Sequence, residues 1–146
     1  MVRALITTLL LATAGCATAR ERIPAAVAQG RDLKAYEDGG MYRTPIGQRE
    51  VTGASDLRRF IWRHWTQKRR GYVLVLTQGK DAGSTSYVFI EPSSSGWHIA
   101  WRSVPYSVLP HAPRWSPRDL RDIVAVEPRH EKLTLRDAKG GVVTTL

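Results

Sequence analysis

Residues 57–77 read LRRFIWRHWTQKRRGYVLVLT and contain the change of pattern on which the fold depends. Apolar residues first recur at helical spacing, and the arginines before Gly71 suit the negative end of a helix dipole. Ser55 and Asp56 can both cap the start of such a helix. After Gly71 a run of β-branched and aromatic residues favours a strand. The sequence therefore predicts a helix over about 56–70, followed directly by a strand.

Further strand-like runs alternate with turn-like segments in the rest of the chain. The predicted strands are Tyr72–Thr77, Tyr87–Glu91, Trp97–Val104, Val124–Glu127, Lys132–Arg136 and Val142–Thr145. Alternation in the third strand directs Trp97, Ile99 and Trp101 toward the core. Ser116-Pro117-Arg118-Asp119 is typical of a helix start, so a short helix ending near Asp122 is also predicted. The predicted fold class is α+β: one amphipathic basic helix followed by an antiparallel meander of five to six short strands, with a short second helix.

The length of 146 residues suits one domain with a single core, preceded by other segments. Residues 1–15 are predicted to be a signal peptide. Residues 16–54, which proline and glycine interrupt repeatedly, are predicted to be a lipid-anchored tether of irregular structure. Residues 55–146 are predicted to form the single α+β domain.

The N-terminal sequence has the order of a secretory leader: Arg3, an uncharged apolar run, then small residues. The apolar run is shorter than the roughly 20 residues that a transmembrane helix needs. Its end, Thr13-Ala14-Gly15-Cys16, resembles the lipobox of bacterial lipoproteins, with Thr13 where leucine is usual. The resemblance implies that Cys16 is acylated and becomes the first residue. As an alternative, Ala17-Thr18-Ala19 fits the A-x-A cleavage rule, which would release a soluble periplasmic or secreted protein.

The destination follows from the same resemblance. Ala17 stands where lipoproteins retained in the inner membrane carry aspartate, so the resemblance favours the outer membrane. The block RRGYVLVLT…STSYVFIEP…GWHIAWR also resembles small exported bacterial proteins, which implies one domain but no particular activity or site residue.

The chain is strongly basic, with a formal net charge of +9, which favours anionic partners. On the predicted helix, Leu57, Phe60, Ile61, His64 and Trp65 share an apolar side that can pack on the sheet. The other side carries the candidate anion-binding residues, which are Arg58, Arg59, Trp62, Arg63, Arg69 and Arg70. An exposed indole among guanidinium groups suits stacking and phosphate contact, although a cationic face in contact only with water is the simpler interpretation.

These features predict an envelope lipoprotein that acts as a non-catalytic binding or assembly module. Its expected partners are anionic lipid, lipopolysaccharide or wall polymer; a nucleic acid is less favoured because the chain is exported. A soluble periplasmic hydrolase is the alternative. No catalytic residue, metal ligand or cofactor is predicted: Cys16 is the only cysteine, and Glu127–Glu131 lacks the helical HExxH spacing of zinc sites.

Overall fold

The computed structural model describes residues 23–79, 82–107 and 120–146. The helical elements are α1 (Ala25–Ala28), a 3-10 turn (Leu33–Ala35) and α2 (Ala54–Gln67). The strands are β1 (Glu37–Thr44), β2 (Gly71–Gln78), β3 (Ala82–Ser93), β4 (Gly96–Ser107), β5 (Leu120–Ile123), β6 (Ala125–Arg129), β7 (Lys132–Arg136) and β8 (Val142–Thr145). Strands β1 to β5 form one sheet in chain order, and β6 to β8 form a second sheet.

The predicted fold class is wrong, because a strand precedes the helix and the described residues are mostly β in two sheets. β1 pairs with β2 in parallel, and α2 connects them. Parallel neighbours need such a crossover, since a tight turn joins only antiparallel strands. β1 was not predicted because its sequence, EDGGMYRT, lacks apolar alternation. The segment 16–54, predicted to be irregular, thus contains an edge strand.

The antiparallel part of the prediction is confirmed for β2, β3 and β4. The ladder between β3 and β4 runs without interruption from Ala82–Ser107 to Ser93–Gly96. The short second helix is contradicted at its C-terminal end, because residues 120–123 form β5 against β4. Pairing with the open edge of β4 outweighs the local helix signal there; residues 116–119 lie outside the described ranges. The last three predicted strands are also present, but they form the separate second sheet.

α2 packs on one face of the large sheet through the apolar side that the sequence predicted. Leu57, Phe60, Ile61 and His64 are buried there. Trp65 is partly buried against the same core. The helix ends at Gln67, and the left-handed residue that follows it is Lys68 and not Gly71 as predicted. Other members of this core come from both sheets: Val73, Val75, Val88, Ile90, Ile99, Ile123, Val126, Leu133 and Leu135.

Two glycines allow α2 to approach the sheet closely. A Cβ atom on Gly39 would lie 2.7 Å from Cζ of Phe60 in α2, and one on Gly71 would lie 2.7 Å from Cδ2 of His64 in the same helix. Any side chain at either position would therefore push the helix away from β1 and β2.

Residues 23–36 cover the opposite face of the large sheet. Ile23 and Val27 are buried against a second cluster from β2, β3 and β4, whose members are Tyr72, Leu74, Tyr87, Phe89 and Ala100. Consequently this segment is part of the folded domain from Ile23 onward.

Candidate anion-binding surface

The six side chains predicted to bind anions do not form one continuous site. Arg58, Arg59 and Trp62 line a groove between α2 and the β6–β7 hairpin. Arg69 and Arg70 line a separate depression beyond the C-terminal end of α2. Arg63 pairs with Glu37 at the start of β1. The single cationic face expected from the helix is therefore divided between two places.

The groove beside α2 is open and has a volume of about 480 Å³. Trp62 is 38% exposed, so it remains accessible next to the two arginines. The hairpin contributes Lys132, His130 and one carboxylate, Glu131, to the same groove. Sequence reasoning missed these hairpin residues because they reach α2 only through the packing of the second sheet.

Arg59 is held only weakly by other protein groups. Its Nη1 atom lies 3.7 Å from Oδ1 of Asp56, and both side chains are more than 70% exposed (77% and 72%). Ion pairs this exposed contribute about 0–1 kcal/mol because water screens them. The guanidinium of Arg59 is therefore free to move to an external anion.

Glu37 binds the end of α2 to the start of β1. Its carboxylate accepts hydrogen bonds from Nη2 of Arg63 at 2.7 Å and lies 3.0 Å from Nε2 of His64. Nη2 of Arg69 is 3.2 Å away. Burial alone would raise the pKa of Glu37, but the hydrogen bond from His64 and the neighbouring charges lower it below its ordinary value. Arg63 and Arg69 therefore have a structural role and are partly neutralised.

The depression at the end of α2 is the more cationic of the two places. Its volume is about 780 Å³, and its lining contains four cationic residues, Lys34, Lys68, Arg69 and Arg70, with one carboxylate, Glu37. Tyr36, Pro92 and Trp97 form less polar parts of the wall. Only the two arginines among these residues were predicted.

A buried carboxylate holds one wall of this depression. Glu91 accepts two hydrogen bonds from Arg31, at 2.7 and 2.6 Å, and one from the hydroxyl of Tyr36 at 2.6 Å. Nε2 of His98 is 3.1 Å from the same carboxylate. These contacts use the acceptor capacity of its two oxygens, which suits a structural role better than acid–base chemistry.

The protonation of this cluster reflects those contacts. Burial raises the pKa of Glu91, but the hydrogen bonds from Arg31, Tyr36 and His98 outweigh it and lower the pKa to about 2. Burial, together with the Glu91 carboxylate, raises the pKa of Tyr36 to about 12. At neutral pH the cluster thus consists of an ionised carboxylate that accepts from a neutral phenol and a guanidinium.

Within residues 23–79, 82–107 and 120–146, no group of three or more His, Cys, Asp or Glu side chains is arranged to hold a metal ion. None of the helices in these ranges has the length and apolar character required to cross a membrane. Cys16 and the predicted leader lie outside the described residues.

No protein-family model, curated protein or solved structure matches this chain.

Proposed function

We propose that the protein is an exported module, anchored by acylated Cys16 and favouring the outer membrane, that binds phosphate-bearing lipid headgroups through the groove beside α2 and performs no catalysis. The observation that carries the proposal is an exposed indole, Trp62, beside Arg58 and Arg59 in an open groove. Indoles favour the membrane–water interface, and cations near an anionic membrane each contribute about 1 kcal/mol of attraction.

The length of the linker supports a location close to the membrane. Ile23 is already packed on the sheet, and it lies seven residues after Cys16. Seven residues reach at most about 25 Å even when extended. Ile23 would therefore stay within about 25 Å of the membrane. Ile23 and α2 lie on opposite faces of the large sheet, so the linker limits the distance of the domain from the membrane and does not set which face is turned toward it.

Vesicle binding by the full chain with Cys16→Ser tests this proposal, because acylation is then removed as a cause of binding. We expect binding to phosphatidylcholine vesicles only when they contain phosphatidylglycerol. The double variant R58Q/R59Q removes two cations and should weaken that binding by about 30-fold, since each cation contributes about 1 kcal/mol.

The matched control is R43Q/K139Q, which removes the same charge from exposed positions outside the groove. It should change binding much less than R58Q/R59Q does. Equal losses in the two double variants would mean that net charge alone causes binding, and the groove would then have no specific role. Equal binding to vesicles of both compositions would also contradict the proposal.

A further inference from the structure

The depression beyond α2 combines cations and aromatic walls from three separate parts of the chain. Lys34 and Tyr36 come from the segment before β1, whereas Lys68 and Arg70 come from the connection between α2 and β2. Pro92 and Trp97 come from the β3–β4 hairpin, where they pair across the ladder. Lys68, Arg69 and Arg70 form a local basic run, and the tertiary fold brings Lys34 and the aromatic residues to it.

The cationic side of the depression suits a phosphate group. Lys68 takes left-handed backbone angles at the end of α2, which turns the chain between Lys68 and Arg70 around the rim. Arg70 lies with its guanidinium carbon 5.9 Å from the centre of the Tyr36 ring. Arginine presents paired donors that match phosphate oxygens, and lysine adds a mobile point charge.

The aromatic side is held in place before any ligand arrives. The Tyr36 hydroxyl donates a hydrogen bond to buried Glu91 at 2.6 Å, and Trp97 packs against the core between α2 and the large sheet. Fixed aromatic surfaces beside a few charged groups are typical of sites for small organic ligands. They would cover one face of a ring-shaped ligand, and a bare inorganic ion would leave them unused.

We propose that this depression binds a phosphorylated saccharide, with the sugar ring against Trp97 and Pro92 and the phosphate against Lys34, Lys68 and Arg70. The phosphorylated sugar can be a free sugar phosphate or the headgroup of a glycolipid. This site is distinct from the groove that contains Trp62, so it stands independently of the proposed membrane contact.

Isothermal titration of the full chain carrying Cys16→Ser tests the proposal with glucose 1-phosphate, inorganic phosphate and glucose. We expect glucose 1-phosphate to bind at least tenfold more tightly than inorganic phosphate, and glucose to give no measurable heat. The variant K34Q/R70Q should weaken glucose 1-phosphate binding at least tenfold. Both residues are exposed, and circular dichroism checks that the variant remains folded.

Two further measurements separate the possible sources and the two sites. Binding to phosphatidylcholine vesicles containing monophosphoryl lipid A, without binding of glucose 1-phosphate, would assign the depression to a glycolipid headgroup if K34Q/R70Q weakens that vesicle binding and R58Q/R59Q does not. The R58Q/R59Q variant should leave the affinity for glucose 1-phosphate unchanged. This expectation holds whether or not the variant weakens binding to phosphatidylglycerol vesicles, because the two sites are separate. Three results would overturn the proposal. They are equal affinities for glucose 1-phosphate and inorganic phosphate, binding that K34Q/R70Q leaves unaltered, and no binding of either glucose 1-phosphate or lipid A.

Discussion

Replacing Glu91 by glutamine should destabilise the protein strongly, because Glu91 joins residues 23–36 to the sheet. Glu91 is only 7% exposed, and its carboxylate is bound by Arg31, Tyr36 and His98. Glutamine keeps the size of the side chain but removes its charge, and its amide group faces the donors of Arg31. Arg31 would remain largely buried without a compensating charge.

Two arguments give a similar magnitude for E91Q. Removing one partner of a buried ion pair typically costs about 3–5 kcal/mol. Lowering the pKa of Glu91 from its ordinary value of 4.5 to about 2 corresponds to about 3 kcal/mol of stabilisation by linkage. We therefore expect the free energy of unfolding at pH 7 to fall by about 3 kcal/mol, a large part of the stability of an ordinary domain.

The pH dependence provides a sharper test of the same reasoning. The folded-state pKa of Glu91 lies below its unfolded value, so the stabilisation is complete above about pH 5 and is lost as pH falls toward 2. Urea unfolding of the wild type and E91Q, followed by tryptophan fluorescence, should show a difference at pH 3 that is about half the difference at pH 7.

The matched control is E127Q, because Glu127 pairs with Arg136 at 3.1 Å near the surface. That variant should change stability by at most about 1 kcal/mol. If E91Q cost no more than E127Q, or if its effect were the same at pH 3 and pH 7, the ionised carboxylate of Glu91 would not hold residues 23–36 on the sheet.

Three further outcomes are expected. E37Q removes a carboxylate that pairs with Arg63 and Arg69 and lines the depression beyond α2. Inorganic phosphate should therefore bind to this depression several-fold more tightly in calorimetry, and weaker binding would contradict this. G71A should lower the free energy of unfolding by about 1–3 kcal/mol in thermal melts, because the new Cβ would meet the ring of His64; unchanged stability would mean that α2 is not packed tightly. Raising salt well above physiological strength should strongly reduce binding to anionic vesicles, and undiminished binding would exclude charge attraction as its cause.

Parts of the fold with strong local patterns could be predicted from the sequence. The apolar side of α2 and the alternating residues of β4 are in the core as expected, since burial follows the helical and strand periods directly. β1 and β5 depend instead on pairing with neighbouring strands. In the sequence, Gly39 indicates a helix stop or a turn. The structure explains it differently: the space that a Cβ atom would need at this position of β1 is occupied by the side chains of Val73 and Phe60.

In the candidate site, too, only the features with a local sequence pattern could be predicted. The arginines of α2 were recognisable from composition and helical spacing, but their separation into a groove and a depression was not. Lys132 reaches the groove from β7, and Lys34 and Trp97 reach the depression from segments far apart in the chain. Glu91 was predicted only to end a strand, because nothing local indicates that Arg31 will lie over it. Such encounters depend on topology, which a single sequence does not fix.

The indole N–H resonance of Trp62 offers the most direct test of anion binding at α2. In a nitrogen-15 NMR titration of the full chain carrying Cys16→Ser with short-chain phosphatidylglycerol, this resonance should shift and saturate. The shift should be much smaller with phosphatidylcholine of the same chain length and in R58Q/R59Q. A Trp62 resonance that stays in place while phosphatidylglycerol binds, or that moves equally with both lipids, would contradict headgroup binding through this groove.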